Sequence, residues 1–411
     1  MEKTFWERHR HNLFKYGYVY ATLLGLSMIN YIPQRSTNTF AQRLISYYSH
    51  AFSFLLIVLL PIYFTKNMND LIANSDGIWQ LELVVNVGNT VFKYIVVVIT
   101  YIANHAHYDH IYEITSTRQR LEDIFDAPSN DYQTDVPKRR FETMLLFKFG
   151  LINSTMGVQL AHILYQYCTG APTARAQFTI YTFVLWNYTE NMADYFFFMN
   201  ASALKFCRQL HVQLKQLTHK SYQVYKFNRQ AGQRGMTMQL CVMLCDRLDI
   251  LAQRYHEIYE LYSSSVHMHQ WQMLGLVLTT LISNLTNCYT IYSLFVKHKL
   301  SEYTIVILLS TIHALAFYLD TYIVILTSDS LHEELKSIKQ TMRLFNESSN
   351  LDIRLDQTIE NFMLKLLSCK IDLRICGLFK LDLHLAYLIA ATAFSYFITL
   401  IQFELNLNNL Q

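Results

Sequence analysis

Seven stretches of this chain are each long enough to cross a lipid bilayer and almost free of charge. A spanning helix takes about 20 mostly apolar residues, because each residue rises ~1.5 Å through ~30 Å of hydrocarbon. Leu44–Thr65 contains no Asp, Glu, Lys or Arg. Leu83–His105 is interrupted only by Lys93, and Thr143–Cys168 only by Lys148. Ala176–Leu204 carries Glu190 and Asp194, and Leu261–Val296 carries no formal charge. Tyr303–Ser328 has Asp320 alone, and Leu383–Phe403 is uncharged. The pattern predicts an all-α integral membrane fold with seven spans. Charged residues make up only 16% of the 411, against roughly 25% for an average soluble domain.

With 11 Gly and 5 Pro, and no Ser-rich linker, the chain reads as one domain of long helices. Its amino terminus mixes charges and lacks a small-residue cleavage site, which argues against a removed signal peptide. Of the seven cysteines only Cys168 is expected near the outer surface, so no disulfide framework is implied.

Tyr16–Gln34 is also uncharged, but tyrosines, Asn30 and Pro33 break it up and four basic residues precede it. Making it span would place those four outside, which the positive-inside rule disfavours. It is read as a cytosolic or partly embedded helix.

The same rule sets the orientation. The amino terminus and the loops after spans 2, 4 and 6 hold 28 Lys and Arg, while the opposite loops and the tail hold four. The N-terminus is therefore placed in the cytoplasm and the C-terminus outside. That is opposite to the seven-helix receptors that couple to G proteins. The expected units are 1–43 before the first span, 44–204 with spans 1–4, and 205–265 as a cytosolic helical region. Then come 266–328 with spans 5–6, 329–382 as a cytosolic helix, 383–403 as span 7 and 404–411 as an extracellular tail.

The inner segments are themselves patterned. Leu244, Leu248, Leu251, Tyr255, Ile258 and Tyr262 step by 4, 3, 4, 3 and 4, one stripe on a helix continuous with span 5. Leu210, Leu214 and Leu217 make a shorter stripe upstream. Ile359, Met363, Leu366 and Leu367 oppose Glu360, Lys365 and Lys370 in a helix leading to the last span.

His105, His107, Asp109 and His110 spell H-x-H-x-D-H, a zinc-ligand pattern in metallo-hydrolases. There the motif follows a strand, whereas here helical sequence flanks it on both sides. A polar cap at the membrane surface is the better reading, and no metal, cofactor or catalytic cluster is expected. The net charge of +3 gives no sign of a nucleic-acid partner.

Charges inside spans should pair or face the bundle interior. Depth along the helices pairs Lys93 with Glu190 and Lys148 with Asp194, in a structural role before ion transport. Gln159, His162, Tyr165, Tyr181, Trp186, Asn284, Asn287, Tyr292 and His313 lie in the outer halves. Singly, such groups serve interhelical hydrogen bonds; together they make a cavity for a small organic molecule credible.

The last helix carries the most specific signal. Tyr396, Thr399, Gln402 and Phe403 recur at i, i+3, i+6 and i+7, one face of a span that is otherwise apolar. In a symmetric oligomer that face suits a pore, with a hydrated amide when open and apolar dewetting when closed. Cys376-Gly377-Leu378-Phe379, followed by Ser395-Tyr396, five residues and Gln402-Phe403, resembles the insect gustatory receptor signature. Ser395 stands where Thr is usual and Cys376 where Ala is common. The resemblance implies a tetrameric, ligand-gated cation channel in the plasma membrane of sensory neurons. It also implies partners in membrane lipid, a small-molecule tastant and copies of itself or related receptors. A transporter or a metabotropic receptor are the alternatives, although internal repeats are not found.

Overall fold

A computed structural model describes residues 47–58, 80–126, 135–168, 173–231, 234–297, 300–345, 352–369 and 373–410, with isolated positions at 16, 19, 44, 61, 62 and 65. The expected helix over 16–34 therefore lies outside the described residues except at Tyr16 and Val19.

Every regular element among the described residues is a helix. They are α1 (Tyr47–Val58), α2 (Gln80–Ala106), α3 (Tyr108–Phe125), α4 (Asp135–Cys168), α5 (Thr173–Ala231), α6 (Arg234–Lys297), α7 (Leu300–Arg343), α8 (Ile353–Ser368) and α9 (Leu383–Leu410). Five contain segments long and apolar enough to cross a membrane: Val85–Ala103, Val136–Tyr165, Thr237–Ser293, Ile307–Arg343 and Leu383–Gln402. The described part of the first expected span is the shorter apolar helix α1. The fourth expected span lies within α5 and falls below the other five in apolarity. The reason is its row of polar side chains, with Asn187, Thr189, Glu190, Asn191, Asn200 and Ser202 all buried. Such a helix hides its polar groups among neighbours instead of showing them to lipid.

Two helices run far past the width of a bilayer. At ~1.5 Å per residue, the 59 residues of α5 and 64 of α6 extend about 90 and 95 Å. Their overhanging halves pack with α3, α8 and the end of α7 into one apolar core. Leu244, Leu248, Leu251, Tyr255, Ile258 and Tyr262 of the stripe are all buried, as are Leu210, Leu214 and Leu217 opposite. Ring contacts tie the layers: Phe125 stacks on Phe206 at 5.5 Å, and Tyr255 meets Phe362 edge-on at 6.2 Å. Charges at the rim are paired, Arg118 with Glu122 at 2.8 Å and Lys205 with Asp126 at 3.1 Å.

α8 starts where the Asp352 carboxylate accepts the Arg354 amide, an N-cap that satisfies one orphan donor. Its buried face is Leu355, Ile359, Phe362 and Leu366. Leu367, expected on that stripe, is 70% exposed, because the true face runs through Phe362 and a residue one step past Leu366 has turned away.

The Gly-Leu-Phe motif is a chain reversal before the last helix. Cys376 and Gly377 both have positive φ, 50° and 73°, and the Leu378 amide donates to the Ile375 carbonyl at 2.9 Å. Two successive left-handed residues suit the tight turns of hairpins, and glycine takes one of them at no steric cost. Asp382 then caps α9 by accepting the Leu385 amide at 3.0 Å.

α6 is the hub, packing on α2, α3, α5, α7, α8 and α9. Its closest pass with α2 is at Gly275, where an added Cβ would sit 2.7 Å from a Val96 methyl. A small residue there is what lets the two backbones approach. α9, by contrast, packs chiefly against α6 and α7, through Leu385, Ala386, Ile389 and Ala393.

Candidate functional site

Five helices, α2, α4, α5, α6 and α7, pack together and bring intramembrane polar residues far apart in sequence into one region. Nearest the end where α2 begins, the Ser283 hydroxyl of α6 donates to Asn89 of α2 at 2.9 Å. One turn on along α2, the Lys93 ammonium sits 4.7 Å from the centre of the Trp186 ring. Trp186 in turn meets Phe317 at 4.3 Å and His313 at 5.7 Å, both edge-on. His313 and Phe317 are stacked, 7° from parallel. The result is an aromatic and imidazole cage, Trp186, His313 and Phe317, with one buried cation on its Trp186 face.

A turn deeper on α5 begins a carboxyl cluster. Ligand oxygens of Glu190, Asp194 and Asp320 lie within 4.8 Å of one another. Lys148 of α4 enters this cluster, 2.9 Å from Asp194 and 2.5 Å from Asp320. Glu190 and Asp320 are both buried, so three acids crowd around one lysine away from water.

Of the two expected ion pairs, Lys148 and Asp194 are brought together. Lys93 and Glu190 share a depth but are not brought within ion-pair distance. Glu190 turns to Asp320, and Lys93 turns to the face of Trp186, where a cation is attracted to the ring quadrupole. Sequence reasoning placed Asp320 in a span but gave it no partner. Its signal was a lone acid in an apolar helix, at the depth of a lone lysine in another.

The expected pocket residues divide. Trp186, His313 and Lys93 belong to the cage. Tyr181 is buried in a separate cluster with Leu56, Val97, Leu185 and Tyr188, joining α1, α2 and α5. Asn284 is buried beside Ser283, and its side-chain nitrogen has no hydrogen-bond partner among the described residues. Gln159 and His313 likewise each keep one buried polar atom unpartnered there, Oε1 and Nδ1. Asn287, His162 and Tyr165 are half-buried. Tyr292 touches Phe397 of α9 at 6.1 Å and so links the bundle to the last helix.

On α9, Tyr396, Thr399 and Gln402 are exposed; the side chain of Phe403 lies outside the described residues. Thr399 donates to the Ser395 carbonyl at 3.1 Å, leaving its methyl outward. Phe394 and Ile398 are exposed on the same helix. The H-x-H-x-D-H residues diverge. His105 lies edge-on to His50 at 5.6 Å, His107 caps α3, and His110 meets Glu113 at 3.3 Å.

Comparison with known proteins agrees with this architecture. Residues 14–407 match the family profile described as 7tm chemosensory receptor. The chain is 43% identical over 413 residues to gustatory receptor 10a of Drosophila melanogaster, covering 98% of this chain and 97% of that protein. It is 28% identical over 166 residues to the Drosophila melanogaster gustatory receptor for bitter taste 22e, covering 39% and 41%. The solved olfactory receptor OR5 of the insect Machilis hrabei superposes with a TM-score of 0.60 at 10% identity, over 96% of this chain and 98% of that one. The same receptor in complex with eugenol superposes with a TM-score of 0.57.

Proposed function

The chain belongs to the 7tm chemosensory receptor family, and on that footing we propose that it is a gustatory receptor working as a ligand-gated, non-selective cation channel opened by small-molecule tastants. It is a multi-pass protein of the sensory-neuron plasma membrane with seven spans, its N-terminus inside and its C-terminus outside. The count of 28 against four basic residues supports that orientation.

The observation that carries the channel reading is the exposed stripe on α9. Tyr396, Thr399 and Gln402 are exposed on their own chain, on a helix that packs chiefly against α6 and α7. An amide turned to hydrocarbon is costly, so the stripe calls for water or a second subunit. A closed ring of subunits supplies both, with α9 helices around a central pore and Gln402 hydrated when it opens. Ligand enters the outer bundle near Trp186 and His313 and favours an expanded arrangement. The contact between Tyr292 and Phe397 carries that change to α9.

The test is whole-cell recording from cells expressing the chain, alone and with related receptors, during application of sugars, bitter compounds and cuticular lipids. Ligand-evoked cation current is expected, with Gln402→Ala altering unitary conductance or ion selectivity. Current with both properties unchanged in that variant removes α9 from the pore.

A further inference from the structure

We infer that Lys93 is the anchor of an anion-recognising subsite, and that the ligand this receptor takes carries a carboxylate on an apolar or aromatic body. The inference rests on reading the outer bundle as the ligand chamber and goes beyond it by naming the ligand's chemistry.

Lys93 is 8% exposed, yet no carboxylate of the described residues comes within ion-pair distance of it. Its close partner among the described residues is the face of Trp186, which attracts the charge but accepts no conventional N–H hydrogen bond. An ammonium has three N–H donors and no acceptor, and a buried donor left unmade is costly. The acids of the Glu190–Asp194–Asp320 cluster begin a turn deeper and, among the described residues, give Lys93 no acceptor within ion-pair distance.

Other polar atoms without a partner among the described residues lie on α6 and α7, the first of which packs on α2. The Asn284 side chain is 8% exposed and its amide nitrogen is unpartnered. It adjoins Ser283, which is bonded to Asn89 one turn along α2 from Lys93. His313 Nδ1 is buried without a partner, and its ring is 5.7 Å from Trp186. As the Nδ1–H tautomer it is a further donor. A site with surplus donors and one cation, walled by Trp186 and Phe317, recognises a planar oxyanion on an apolar body.

The experiment uses the purified full-length chain in nanodiscs and two matched probes, cinnamate and its uncharged methyl ester, with affinity read from ligand-dependent thermal stabilisation. Cinnamate should bind about tenfold or more tightly than the ester, the range of one charge-assisted hydrogen bond. Lys93→Met should abolish that preference and leave ester affinity within about twofold. Lys93→Gln serves as a second variant that keeps a donor without the charge, and it too should lose the preference. Equal affinity for the two probes, no cinnamate binding at millimolar concentration, or wild-type cinnamate affinity in Lys93→Met would overturn the inference. Because binding is read without current, a silent channel leaves this result standing. Currents evoked equally by acid and ester would sink the subsite and leave the channel.

Discussion

Two lysines are buried in the same helical bundle, and their surroundings are opposite. Lys148 is enclosed by carboxylates, touching Asp194 and Asp320, with Glu190 in the same cluster. Lys93 rests on an indole ring and, among the described residues, touches no acid. One charge is satisfied by its own chain and the other is left to be satisfied from outside. A bundle can therefore hold one cation among its own acids and another on an aromatic face about one helical turn away.

The sharpest way to break this contrast is Lys148→Met. It leaves Asp194 and Asp320 buried without their cation, and removing one member of a buried pair costs about 3–5 kcal/mol. Loss of monodisperse protein on detergent size-exclusion chromatography is expected; an unaltered profile would mean the cluster stores no such dependence. Asp320→Asn comes next. Lys148 keeps Asp194, so the loss should be about 1.5–3 kcal/mol, the range for a hydrogen bond to a charged group. The double variant Lys148→Met with Asp320→Asn should recover part of the Lys148→Met deficit.

Glu190→Gln should change the melting temperature little, by less than about 1 kcal/mol in stability, since it removes one of three crowded acids and brings an amide donor beside the other two. A large loss would show that Glu190 carries full charge. The smallest effect is expected at Lys93→Met, which removes a buried cation lacking an acceptor and keeps a favourable contact with Trp186. The melting temperature should hold or rise, whereas a loss approaching that of Lys148→Met would make both lysines structural and erase the distinction.

These four positions also show what the sequence made legible. Hydropathy located five of the helices long and apolar enough to cross a membrane, since an apolar run of about 20 residues is a property of the chain alone. Helical periodicity located the buried stripe from Leu244 to Tyr262 for the same reason. Depth along each span brought Lys148 to Asp194 and set Lys93 level with Glu190. What depth cannot supply is the direction a side chain faces across the bundle. Asp320 lies 172 residues from Lys148 in sequence, and only the packing of α7 against α4 joins them. The same ignorance of azimuth left Trp186 unconnected to Lys93. Leu367 was misplaced within α8 by a single step of about 100°, the smallest rotation a helix allows. The stripe of Tyr396, Thr399 and Gln402 was readable because exposure on α9 needs no partner within the chain.

Gly275 gives α6 a mechanical character. The helix passes α2 at van der Waals distance there, about 62 Å along the rod from Arg234 and about 33 Å from Lys297 at ~1.5 Å per residue. An unbroken rod resting on such a point is a lever with unequal arms. A tilt that shifts the short arm by 1 Å, taken as an illustration of scale, sweeps the long arm by about 2 Å in the opposite direction, by proportion of the arm lengths. Crowding at one membrane face would thus be felt, enlarged and inverted, in the apolar core beyond the other.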